Sequence, residues 1–305
     1  MKPLVLLNPA AHYGRARERF SRIRHQVDAL GATIIESTGA AEEDFCIVKD
    51  ALEDGCTLVI AGGGDGTVHS VVNALWRIGE GAIPAGVYFG AIGLGSSNDF
   101  HKPYQTDVPV LMRIETAAPR DLVLCRLDCD GSPQEEICVV SASFGATAQA
   151  NEFFNANAGF FRHLKRGATA VAIAYAALHA TKHHHNMVAR LEFPGEELEV
   201  ELSNLSILKT PYLSGSLRFD LAIEPDDGLF VVAMCEGMSR LRLCAALLAL
   251  YRGKFSGRSG TKSWKVKKMG FKTDRAVTLE IDGEITRASS ATFLLQPGAL
   301  MTCGV

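Results

Sequence analysis

Over the first third of the chain, short apolar runs alternate with amphipathic stretches. Lys2–Leu7, Thr33–Glu36, Leu58–Ile60 and Val87–Ile92 have the length and texture of buried strands. Between them, Arg15–Leu30 puts Phe20, Ile23, Val27 and Leu30 on one helical face, and Glu42–Asp54 is a second helix closed by Gly55. Val68, Val71, Val72 and Leu75 then recur at i, i+3, i+4 and i+7, the spacing of a third helix. Such alternation predicts a parallel sheet with helices on its faces, which binds ligands outside the carboxyl ends of its strands. After Pro119 the texture changes to strand-like pieces: Leu122–Leu127, Ile137–Ser143, Val188–Phe193, Leu198–Leu205, Phe230–Met234 and Val277–Ile281. Helices at about Leu164–Ala180 and Ser239–Arg252 interrupt them, the second carrying Leu241, Cys244, Ala245 and Leu248 on one face. The expectation is an α/β domain over residues 1–121 and a β-rich domain with helical insertions over 122–289.

The polar residues concentrate where the first four strands end. Gly62-Gly63-Gly64-Asp65-Gly66-Thr67 joins the third strand to its helix. Free amides and the positive end of a helix dipole converge there, and glycine lets the backbone approach a phosphate. Asp65 adds a carboxylate, which makes sense if a magnesium ion or a hydroxyl must also be held; the alternative is a tight turn using glycine for shape only. Gly93-Leu94-Gly95-Ser96-Ser97-Asn98-Asp99-Phe100 is a second glycine turn of compatible chemistry, followed by Lys102, which could reach phosphate. Asn8-Pro9 and Ser37-Thr38-Gly39 end the first two strands.

Composition narrows the class. The 305 residues are 47% hydrophobic and 21% charged, with a net charge of −3, which argues against a general nucleic-acid binder. The N-terminus reads as no signal peptide, and the longest apolar stretches, Ala168–Ala180 and Leu241–Tyr251, fall short of the roughly 18–20 residues that span a bilayer. Cysteines 46, 56, 125, 129, 138, 235, 244 and 303 form no CxxC pair and read as reduced core thiols of a cytosolic protein, with zinc at Cys125, Cys129 and a histidine as an alternative. Arginines 15, 17, 19, 22 and 24 read as a solvated helix face or as a cationic rim near phosphate or membrane. His183, His184 and His185 read as a polar loop, since adjacent side chains diverge. Arg252–Arg275 holds nine basic residues and one acidic, interleaved with Phe255, Trp264 and Phe271; it fits either anionic lipid headgroups or a lysine-protected edge strand.

Two acidic turns lie far along the chain. In Glu224-Pro225-Asp226-Asp227-Gly228-Leu229, Asp227 with nearby carbonyls could hold a hard cation such as Mg²⁺. Ile281-Asp282-Gly283-Glu284-Ile285 carries two carboxylates, one of which could work as a base; a plain Asp-Gly hairpin is the competing reading.

The order Gly63-Gly64-Asp65-Gly66-Thr67, Gly95-Ser96-Ser97-Asn98-Asp99-Phe100, Asp226-Asp227-Gly228 and Asp282-Gly283-Glu284 resembles the diacylglycerol kinase catalytic-domain family, which includes soluble bacterial lipid kinases and, more distantly, NAD kinases. The resemblance covers essentially the whole chain. It implies a nucleotide-binding α/β domain like that of NAD kinases and a C-terminal β-sandwich, with residues 290–305 packing back on the first domain. It implies ATP-dependent, Mg²⁺-dependent phosphorylation of a lipid hydroxyl by a cytoplasmic enzyme that meets its substrate at a membrane surface, and it allows a homodimer. By motif, Asn8, Pro9, Ala10, Thr38, Gly63, Gly64, Asp65, Gly66, Thr67, Val68 and Ser96 would line the ATP site. Asn98, Asp99 and Lys102 would face the acceptor. Asp65, Asp282 and Glu284 would be catalytic, with Glu284 the proton acceptor. A structural Mg²⁺ would sit on Asp227 and the carbonyls of Glu224 and Leu229. The chain departs from the pattern at His12, where glycine is usual, at Ser96 in place of threonine, and at Gly215-Ser216-Leu217-Arg218-Phe219-Asp220-Leu221, which replaces a glycine-rich run. An NAD kinase and a non-catalytic nucleotide- or lipid-binding module are the rival readings.

Overall fold

The computed structural model describes residues 2–104, 110–129, 131–156 and 169–304. The chain divides into two compact units, residues 1–122 with 297–305, and residues 123–296.

The first unit is built on parallel strands β1 (Leu4–Leu7), β2 (Thr33–Glu36), β3 (Leu58–Gly63) and β4 (Tyr88–Gly93) in the order β2-β1-β3-β4. β1 and β3 are buried along their whole length, so their residues do not alternate between apolar and polar. Helix α1 (Ala16–Ala29) buries Ala16, Phe20, Ile23 and Val27; α2 (Ala41–Glu53) follows β2; α3 (Asp65–Ile78) buries Val68, Val71, Val72 and Leu75 completely. Each such aliphatic side chain contributes about 1.5–3 kcal/mol of burial, which holds the start of α3 against the sheet. The short strand β5 (Val110–Leu111) lies antiparallel on β4, and on β4 too rests Thr302, near the end of the last strand, paired in parallel with Phe89. Strand ends Leu7, Glu36, Gly63 and Gly93 therefore fall along one edge of this sheet, and the loops carrying Asn8, Thr38, Asp65 and Ser96 leave from it.

The second unit is antiparallel. β13 (Phe230–Glu236), β10 (Glu196–Leu208), β8 (Ser141–Gly145), β15 (Lys268–Ile281) and the start of β16 (Glu284–Gly304) are neighbours in that order, with β14 (Thr261–Val266) as the edge strand beside β13. β9 (Met187–Phe193) pairs with both β10 and β15, and β6 (Arg113–Cys129) forms a hairpin with β7 (Ser132–Cys138). The core centres on Phe144, stacked on Phe271 at 3.8 Å with Phe293 edge-on. Among the described residues, three helices accompany these strands: α4 (Ala146–Ala156), α5 (Thr169–His183) and α6 (Arg240–Tyr251).

Several sequence expectations change. The strand expected at Ile137–Ser143 is two, β7 and β8, because a side chain takes the backbone amides between them, as described below. The strand expected at Leu122–Leu127 starts at Arg113 and runs through Pro119. Helix α4 had no counterpart in the sequence reading, and the expected start of the next helix at Leu164 lies outside the described residues. His184 is buried and bonded to Asn186, while His183 and His185 are exposed, so the three histidines do not converge.

Candidate active site

The two glycine turns of the first unit are in contact. A Cβ built on Gly64 would lie 3.0 Å from Gly95 Cα, and one on Gly95 only 2.4 Å from Gly64 Cα. A Cβ on Gly63 would lie 2.1 Å from Thr67 Oγ1. Only residues without side chains fit this packing. Gly64 is the N-cap of α3 and, among the described residues, no side chain caps the helix. The first-turn amides of a helix have no partners within it, so this end suits an anion. Thr67 is itself held by Asn8, whose Nδ2 donates to Oγ1 at 3.1 Å, while Asn8 Oδ1 accepts from the Ala10 amide at 3.0 Å. Pro9 lies between them in the same turn. Val68 is wholly buried and anchors the helix from below.

Asp65 joins the two turns. Its Oδ2 accepts from the Asp99 amide at 3.0 Å and its Oδ1 from the Phe100 amide at 2.9 Å. Beside the metal or hydroxyl expected of this carboxylate, the structure gives it a positional role. Asn98 holds the second turn from inside with φ of 49°, its Oδ1 accepting from the Gly95 amide at 2.9 Å. Asp99 is buried and paired with Lys102, so the lysine is tied to a carboxylate in this state. Ser96 is exposed beside Gly95, and Thr38 is exposed at the end of β2 with its hydroxyl donating to Glu43.

The departure at His12 is conformational. His12 and Tyr13 both have left-handed backbone, at φ 51° and 57°, where a glycine would be unstrained. His12 Nδ1 lies 3.2 Å from the Gly95 carbonyl oxygen, which also accepts from Arg19 Nη1 at 2.7 Å. Burial, then the neighbouring Arg19 and Arg15, hold the His12 imidazole below its ordinary pKa despite the carbonyl contact. Of the arginine cluster, Arg17, Arg22 and Arg24 pair with carboxylates on a solvated face, while Arg19 reaches the second glycine turn.

In the second unit, Asp282 and Gly283 form the two-residue turn between β15 and β16, with φ of 50° and 98°, the signature of a type I′ hairpin. Asp282, expected to be catalytic, also has a structural task. Its buried carboxylate accepts from the amides of Val139, Val140 and Ser141 at 2.8, 2.8 and 2.9 Å, so it braces the junction of β7 and β8. Glu280, which the sequence reading overlooked, is buried behind the turn, accepting from Ser143 Oγ at 2.6 Å and the Gly283 amide at 2.7 Å. Glu284 is the exposed carboxylate of this turn, and among the described residues it forms no hydrogen bond or ion pair.

A model of the diacylglycerol kinase catalytic domain matches residues 2–121, and one of the YegS C-terminal NAD kinase beta sandwich-like domain matches residues 140–303. The chain belongs to the diacylglycerol kinase catalytic-domain family. As a member of that family it is a kinase. A probable lipid kinase YegS-like of Chromohalobacter salexigens is 26% identical over 97% of this chain and 91% of its own length. The probable lipid kinase YegS of Salmonella arizonae is 34% identical over 32% of this chain and 30% of its own. In fold the chain is similar to a putative diacylglycerol kinase from Bacillus anthracis, with TM-score 0.75 and 16% identity over 100% of this chain and 97% of that one. A yeast NADH kinase is similar in fold at TM-score 0.51 and 11% identity, covering 100% of this chain and 84% of that one.

Within this kinase, the structural Mg²⁺ expected on Asp227 and the carbonyls of Glu224 and Leu229 does not fit. Those three groups do converge, but on the ammonium of Lys209. Its Nζ donates to the Glu224 carbonyl at 2.9 Å, to the Leu229 carbonyl at 2.7 Å and to Asp227 Oδ1 at 3.5 Å. The one legible signal for Lys209 is a lone charge at the end of the uncharged run Leu202–Leu208. Of the two readings of Arg252–Arg275, lipid headgroups or an edge strand, the fold takes up the aromatic residues internally: Phe255 and Phe271 are buried, and Trp264, on the edge strand β14, stacks on Phe193. Among the described residues, exposed large apolar side chains cluster instead on α5 and α6, with Leu30, Val188 and Met301 elsewhere.

Proposed function

We propose that this kinase transfers the γ-phosphoryl group of ATP to a hydroxyl of diacylglycerol or a related lipid. The observation that carries the reading is the Asp65 tie, which fixes the turn suited to phosphate to the turn bearing Asp99 as one rigid piece. The triphosphate lies against the amides of Gly64, Asp65 and Gly66, with Asn8, Thr38, Thr67 and Ser96 around it. Magnesium, bound with ATP, neutralises charge on its phosphates. Asp99 and Lys102 orient the acceptor, and the resemblance of Asp282-Gly283-Glu284 to the family motif gives Glu284 the role of proton acceptor. The C. salexigens protein is named a probable lipid kinase and the B. anthracis protein a putative diacylglycerol kinase, which favours a lipid acceptor over a dinucleotide. Incubation with γ-labelled ATP and either diacylglycerol or NAD decides: label in phosphatidic acid supports the reading, and label only in NADP overturns it.

We further propose that the enzyme works in the cytoplasm and meets its lipid by docking on an anionic bilayer surface through α6. Beyond its first turn, which carries Arg240 and Arg242, this helix is apolar on both faces: Leu243, Ala246, Ala249 and Leu250 are buried, whereas Leu241 is 84%, Leu248 61% and Tyr251 67% exposed. The adjoining α5 exposes Val171, Tyr175 and Leu178. Among the described residues no helix is long and apolar enough to cross a membrane. From Gly237 to Thr273 the chain carries ten basic residues and no acidic one. Apolar side chains within a cationic field match a bilayer of anionic lipid, whereas a second copy would bring like charges together.

A further inference from the structure

We propose that Lys209 is the resident cation of the Glu224–Leu229 loop, and that the second unit folds and holds this loop without a divalent metal. The proposal rests on the chain's own geometry and stands apart from the identity of the lipid.

Lys209 directly follows β10, and its backbone amide donates to the Val140 carbonyl at 3.0 Å, so its Cα is fixed by the sheet. The residue is only 2% exposed. A lysine is almost never this deeply buried unless its charge is paired and its protons are used. An ammonium has three protons, and the loop before β13 offers three acceptors, the two carbonyls and Asp227 Oδ1. Asp227 in turn is fixed by the Leu229 amide, which donates to Oδ1 at 3.2 Å, and its other oxygen faces Lys265 Nζ at 3.5 Å.

Two carbonyls and one carboxylate are the oxygen ligands that Mg²⁺ or Ca²⁺ takes, at about 2.0–2.6 Å and with six or more ligands in all. A metal at that distance from all three oxygens would occupy the space of Lys209 Nζ. It would also share the single Asp227 carboxylate with two ammonium groups. Among the described residues no cluster of three or more His, Cys, Asp or Glu could hold a metal elsewhere. The charge that the family resemblance assigns to a structural Mg²⁺ is therefore carried here on a side chain, tethered and always present. Any magnesium requirement of the enzyme then belongs to its ATP complex alone.

The test is calorimetric unfolding of the full chain without nucleotide, with metal content measured on the same samples. The wild-type protein is expected to hold no stoichiometric divalent ion, and its midpoint to move neither with EDTA nor with added Mg²⁺ or Ca²⁺. Lys209→Ala, which leaves the loop oxygens around a vacant position, is expected to melt lower and to recover part of the loss when Mg²⁺ or Ca²⁺ is added. If Lys209→Ala does not fold, Lys209→Asn takes its place, with the same expected rescue. A wild-type chain that retains one divalent ion and is destabilised by EDTA overturns the proposal, as does a Lys209 variant that melts with the wild type. Because neither readout is activity, failure here is distinct from failure of the lipid-kinase reading.

Discussion

Gly64 and Gly95 pack backbone to backbone, with a Cβ on Gly95 falling 2.4 Å from Gly64 Cα. Gly95→Ala must push the two turns apart. Overpacking of this kind costs about 1–3 kcal/mol of stability, and a displacement of about 1 Å at a reacting centre costs on the order of 10²-fold in rate. The expected outcome is a folded protein with weakened ATP binding and kcat/KM down by about that factor, read by equilibrium dialysis and by turnover.

Asp65→Asn tests the same joint from the other side. An asparagine has one acceptor oxygen for two amides, and its NH₂ would face the second as a donor against a donor. Hydrogen bonds to a charged group are worth about 1.5–3 kcal/mol each. The variant is expected to lose about that much stability and at least roughly 10²-fold in rate. Normal turnover would remove Asp65 from the mechanism.

Asp282 and Glu284, two residues apart, are expected to separate stability from catalysis. Asp282→Ala strips three backbone amides of their acceptor, at about 1–3 kcal/mol for each buried group left unsatisfied, and shows in denaturant unfolding. Glu284→Gln alters an exposed side chain and should stay within about 0.5 kcal/mol of wild type while kcat drops at least roughly 10²-fold. Equal kcat for wild type and Glu284→Gln would rule the residue out as the proton acceptor.

Acid should weaken the first unit through His101. Burial, with the Arg120 guanidinium adding to it, pushes this imidazole down to about 3, and among the described residues neither ring nitrogen has a hydrogen-bond partner. The folded state thus keeps it neutral while the unfolded chain protonates it below about 6.5. Between those values the unfolded state binds more protons, so stability falls as pH falls from about 6.5 toward 3, by on the order of 4 kcal/mol in all. His101→Phe is expected to flatten that part of the unfolding-versus-pH curve; an unchanged slope would assign it to other groups.

The outer face of α6 predicts where the enzyme holds a bilayer. Leu241→Asp with Leu248→Asp changes exposed positions only and is expected to abolish co-sedimentation with phosphatidylglycerol vesicles while melting with the wild type. Unchanged sedimentation would exclude α6 as the docking surface, and a change in oligomeric state in gel filtration would assign the face to a second copy instead.

Periodicity and turn chemistry alone placed the four parallel strands of the first unit and the three helices between them, because parallel strands are continuous apolar runs and the helix faces repeat every 3.6 residues; β5 and the start of β6 escaped them. They also picked out both glycine turns, since only glycine tolerates such close backbone approach. The sequence could not say that Asp65 and Asp282 spend their carboxylates on amides 34 to 143 residues away. Nor could it say that Lys209 would fill a loop 15 to 20 residues further on. It puts Leu241 and Leu248 on one helical face without telling whether that face is inner or outer, because α6 beyond its first turn is apolar on both faces. Local pattern records which groups a segment carries; which oxygen meets which proton depends on long-range register, and that exists only once the sheets have formed.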